Sequence, residues 1–80
     1  MKKRAIRTDQ RMLSAAVMEF SRKMMNKLWD KAEDGYVGWD DIAYLAPIMK
    51  RLESHVQRLL SGDYEQCVDI ANLAMMIDGL

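Results

Sequence analysis

The stretch DYEQCVDIANLAMMI, residues 63–77, decides how this chain is read. From Cys67 to Ile77 every position is apolar except Asp69 and Asn72. On a helix, Glu65, Asp69 and Asn72 stand at i, i+4 and i+7, one above another. That line is either a narrow solvent-facing strip or a buried polar site. Charged side chains are seldom buried, so the acidic residues alone favour the strip.

The flanks give this helix a start and the chain before it a plan. Gly62 is a natural helix stop, and Asp63 with Gln66 three residues on has the spacing of a capping box. Upstream, Ile48, Leu52, Val56, Leu59 and Leu60 keep helical spacing and predict a helix over about 48–60. Pro47 suits its first turn and separates it from a short helix over 42–45, opened by Asp40 or Asp41. The segment EDGYVGW, residues 33–39, must turn, with Tyr36 and Trp39 placed to pin it. Before it, Met12, Leu13, Ala16, Val17, Phe20, Met24 and Leu28 recur at three- and four-residue steps. Arg11, Ser14, Glu19, Arg22, Lys23 and Lys27 fill the rest of that wheel, an amphipathic helix from a cap at Thr8 or Asp9 to about Ala32. No segment sustains strand alternation. The expected fold is all-α: one domain over 1–80, a small bundle of three main helices and one short helix, with 1–7 a flexible basic tail.

A chain of 80 residues buries only about 60 % of its unfolded surface, so it is marginal as a monomer. Half of its residues are hydrophobic, which predicts apolar surface left over for a partner, most simply a second copy. The one cysteine, Cys67, excludes an internal disulfide and lies on the apolar side of the last helix, as a buried thiol in a reducing compartment would. No apolar run approaches the roughly 18 residues of a membrane span, and no signal-peptide core follows the basic start. The expectation is a soluble cytoplasmic protein. Net charge is zero, yet residues 1–31 hold nine of the twelve Lys and Arg and three of the twelve acids. That asymmetry reads as two halves that complement each other. Without a recognition-helix motif or an aromatic-basic sheet, nucleic acid ranks last among partners.

The site-like residues are few. Glu65 and Asp69 share a helical face, and Glu53 on the preceding helix can join them after the Gly62–Asp63 turn. Three carboxylates of this kind are oxygen ligands suited to Mg²⁺. His55 stands alone, without the second His or Cys that zinc requires. Eight methionines read as core and interface filling, and Trp29 and Trp39 as core or dimer packing with base stacking as the alternative.

The order of these features resembles small phage and prophage proteins of the MazG-like, all-α nucleoside triphosphate pyrophosphohydrolase group. The resemblance runs over about 12–78: the Gly35-Tyr36-x-Gly38-Trp39 turn, Glu53-Ser-His-Val on the middle helix, Gly62-Asp63, and Asp69-Ile-Ala-Asn72 on the last. It implies a subunit that assembles as a dimer or a dimer of dimers and holds Mg²⁺ on acidic residues of neighbouring helices. It matches Asp69 to a metal ligand, with Glu65 one step off register, and Asn72 to a nucleotide contact. The candidate metal set is Glu53, Glu65 and Asp69, and the candidate nucleotide set His55, Asn72, Lys27 and Trp39. The chain departs from the family pattern where catalysis is concentrated. Ser54, His55 and Arg58 stand at the three middle-helix glutamates, and Gln66 stands at the glutamate three residues before Asp69. Whether Arg58 points into the site therefore bears on metal binding. Two functions follow from the resemblance. The first is a non-catalytic dimeric module binding a nucleotide or a protein, in a phage setting an inhibitor of a host protein. The alternative is a Mg-dependent nucleoside triphosphate pyrophosphohydrolase.

Overall fold

The computed structural model describes residues 4–80. They form three α-helices, α1 (Ile6–Glu33), α2 (Leu45–Leu60) and α3 (Cys67–Gly79), with short 3₁₀ turns at Ile42–Tyr44 and Tyr64–Gln66. The all-helical expectation holds, and no helix among the described residues is long and apolar enough to cross a membrane. Of the basic tail, residues 1–3 lie outside the described part, and Ile6 and Arg7 already belong to α1.

Helix α1 starts earlier than the Thr8 or Asp9 cap predicted. Its N-cap is Ala5, which offers no side-chain acceptor. Asp9 instead sits in the first turn, where an acid favours the helix dipole, and pairs with Arg4 at 2.9 Å. At the other end Gly35 takes φ +96°. Its N–H donates to the Ala32 carbonyl and the Tyr36 N–H to that of Lys31, a Schellman ending. That ending folds Tyr36 back under the Lys31 ammonium, 5.1 Å from the ring centre. Helix α2 ends in the same way at Gly62, with Gly62 donating to Leu59 and Asp63 to Arg58.

Pro47 does not divide two helices. The 3₁₀ turn, capped by the Asp41 carboxylate on the Ala43 N–H, runs straight into α2 at Leu45. Pro47 is the third residue of α2, where an N–H has no intrahelical partner to lose. Asp63 caps the final helical segment by accepting from the Glu65 N–H, while Gln66 reaches its side chain, not its backbone. The capping-box spacing is right and the bonding is a variant of it.

Helix α3 is the strut. It packs against both α1 and α2, while no Cα of α1 comes within 8 Å of any in α2. Two contacts give the α1–α3 register: Lys27 meets Asp69, and Met24 meets Asn72. The helices are therefore antiparallel. Trp39, carried over by the 34–41 connection, lies against the last turn of α3, so close that a Cβ on Gly79 would come within 3.1 Å of its ring. The interior is very small: Ile48 is the one buried hydrophobic residue among those described. Cys67, expected to be buried, is exposed, because the first turn of α3 lies at the rim of the packing and not inside it.

Replacing Ile48 with alanine should cost about 2–4 kcal/mol, a large share of what so small a domain holds. Met49→Ala, one residue on and half exposed, should cost less than about 1 kcal/mol. Urea unfolding of the two variants checks this.

Candidate functional site

Helices α1 and α2 both rest on α3 with no Cα of one within 8 Å of the other, and a trough of about 540 Å³ runs between them. Its floor is α3, contributing Asp69, Asn72 and Met76. Lys27 and Lys31 come from α1 and Ile48, Arg51 and His55 from α2, with Tyr36, Trp39 and Tyr44 supplied by the connection and the 3₁₀ turn. The helical spacing explains the convergence. Lys27 and Lys31 are four apart on α1, and Pro47, Arg51 and His55 are four apart on α2, so each set shares a face.

The polar line on α3 faces inward. Asn72, at 5 % exposure, is the most buried of the described residues, and the Asp69 side chain is 21 % exposed. The solvent-strip reading fails here because α3 has neighbours on two sides and little of its surface is free. Only Glu65, at the start of the line, stays exposed. Both oxygens of Asp69 lie 2.8 Å from the Lys27 ammonium, and one lies 3.9 Å from His55 Nδ1. One carboxylate thus links all three helices. Lys27 is 41 % exposed, so the ion pair adds on the order of 1 kcal/mol or less to stability.

His55 is oriented by a short relay. Gln66 Nε2 donates to Asp63 Oδ2, which leaves its carbonyl oxygen toward the ring, and His55 Nδ1–H donates to that oxygen. With Nδ1 committed as donor, Nε2 of the neutral ring is left as the acceptor. Asn72 Nδ2 donates to the Met24 carbonyl at 3.4 Å, and its Oδ1 is buried without a partner. Such an atom costs about 1–3 kcal/mol. Away from the trough, Arg22 holds the Glu19 carboxyl below its ordinary range by hydrogen bond and charge, and is itself raised. Both are fully exposed on α1.

The residues assigned to nucleotide contact, Lys27, Trp39, His55 and Asn72, do meet in the trough. The three acids assigned to a metal do not come together. Glu53 faces a separate groove beside Met49, Val56 and Ile77, and Glu65 is exposed on the 3₁₀ turn. Among the described residues no group of three or more His, Cys, Asp or Glu could hold a metal ion. The donor set does not fit Mg²⁺: Asp69 is the one carboxylate of the trough, and a lysine spans both of its oxygens. Arg58 is exposed and outside the trough lining, so it neither repels a cation there nor binds an anion. Sequence reasoning missed Lys31, Arg51, Tyr36 and Gln66. The four-residue step from Arg51 to His55 was the signal that could have found the arginine.

Chemically the trough offers three cations against one carboxylate, four aromatic rings, and no serine, threonine or cysteine nucleophile. Comparison with protein-family models, with curated proteins and with solved structures gives no match for the chain.

If Asn72 serves a ligand and not the fold, Asn72→Leu should be no less stable than the parent, and up to about 1 kcal/mol more stable, since the orphaned oxygen is removed. A loss of stability on chemical unfolding would make the amide a structural element.

Proposed function

We propose that this chain is a MazG-like helical module, dimeric and non-catalytic, that binds a nucleotide in the trough between α1 and α2. The observation that carries the reading is the character of the trough: cationic Lys31 and Arg51 beside aromatic Tyr36 and Trp39, with the lone acid Asp69 already neutralised by Lys27. Flat rings offer a nucleobase a stacking surface, and a bidentate guanidinium suits a phosphate. His55 Nε2 is an acceptor left over by the fold, and a base carries N–H donors to match it. The same balance works against phosphoanhydride hydrolysis. That reaction needs a divalent cation to neutralise the phosphates and activate water, and the carboxylate positioned for it is occupied by an ammonium.

The test titrates the protein with nucleoside mono-, di- and triphosphates, followed by tryptophan fluorescence and calorimetry. Pyrophosphate release is measured in parallel with Mg²⁺ or Mn²⁺. Saturable binding is expected, weakened tenfold or more by Arg51→Gln, about 1.4 kcal/mol, with no turnover. Turnover abolished by Asp69→Asn would instead make the protein a pyrophosphohydrolase. Failure of every nucleotide to bind would leave the trough to a protein partner.

A further inference from the structure

Helix α1 is far longer than anything it packs on. It runs 28 residues against 13 in α3. Continuing the antiparallel register set by Lys27–Asp69 and Met24–Asn72, the last residue of α3, Gly79, falls level with about Val17. Residues 6–15 of α1, roughly 15 Å of helix, project beyond it. Yet their apolar pattern does not stop there. Ile6, Leu13, Val17, Phe20 and Met24 form one seven-residue seam, the spacing by which helices pair. Phe20 and Met24 are partly covered, whereas Leu13 is 60 % and Val17 63 % exposed. One stripe is half used within the chain and half left open.

The surface area says how much is missing. A 9.3 kDa monomer should expose about 5,000 Å². This chain exposes 6816 Å², roughly 1,800 Å² more than that scaling predicts. Its radius of gyration is 15.5 Å, where about 12 Å suits a compact chain of this length. Obligate homodimers bury about 1,000–2,500 Å² on each partner, so an excess of this order leaves room for a partner on the α1 stripe as part of it.

We infer that residues 6–17 of α1 pair with the same stripe of a second copy about a two-fold axis, and that folding is coupled to this pairing. This assignment gives a surface to the dimeric part of the function proposed above and is independent of the nucleotide. A second copy is the occupant because a chain with a single buried hydrophobic residue among those described must cover the stripe in order to fold. Its own kind is the partner always present when it does. An isologous contact also closes, leaving no open seam for further addition.

Light scattering and thermal unfolding of the full chain across a hundredfold concentration range test the inference. The expected result is a mass twice 9.3 kDa and a Tm that rises with concentration. The double substitution Leu13→Glu with Val17→Glu should give a monomer or an unfolded chain. Either supports the pairing, since neither side chain is buried within one copy. Met18→Glu, on the opposite side of α1 and 73 % exposed, should change neither mass nor Tm. A folded monomer with a concentration-independent Tm overturns the inference. So does a dimer that survives the double substitution, or one that Met18→Glu breaks. Nucleotide titration of the same samples reads the trough separately, so the two proposals can fail independently.

Discussion

The whole arrangement depends on α3, the helix against which both α1 and α2 pack. Within it, the two oxygens of Asp69 face the Lys27 ammonium from one side, and one of them lies near the His55 ring on the other. No Cα of α1 comes within 8 Å of one in α2, so α3 carries the close packing between them. The geometry has a direct chemical effect: any strut shared by two walls leaves a space between them. Here that space is lined by what each wall carries on its inner face, lysines from α1, an arginine and a histidine from α2. Fold and site are therefore the same fact seen from two sides.

Much of this was legible in the residues. The three main helices, the two glycine stops and the absence of strands follow from periodicity and from the turn-forming segments, because each is a local preference. Asn72 and Asp69 were visible as an anomaly in an apolar run. What the residues could not give was direction. An i, i+4, i+7 line has the same spacing whether it faces water or a neighbour. Only the placement of α3 between two partners turns Asp69 and Asn72 inward and leaves Glu65 outside. The same limit explains the three acids. Glu53 and Asp69 are compatible in sequence, but on α2 the glutamate faces away from the trough while His55, two residues on, lines it. Pro47 was misjudged for a different reason: its cost depends on whether an N–H was needed, and at the third residue of α2 none was.

The sequence resemblance and the geometry meet at Asn72 and part at the metal. Asn72, Lys27, His55 and Trp39 line one trough. In place of an acidic cluster it holds an ion pair, and in place of a glutamate three residues before Asp69 it holds Gln66, which bonds to the histidine instead. With an amide at Gln66 and an ammonium beside Asp69, the one acid of the trough is balanced within the chain, so the site has a self-consistent polarity of its own.

The gap between α1 and α2 also has a mechanical meaning. The two walls are joined through α3 and through the 34–41 connection, whose Trp39 rests on the last turn of α3. A ligand that held Lys31 on one wall and Arg51 on the other would add a third link, bracing the gap from its open side.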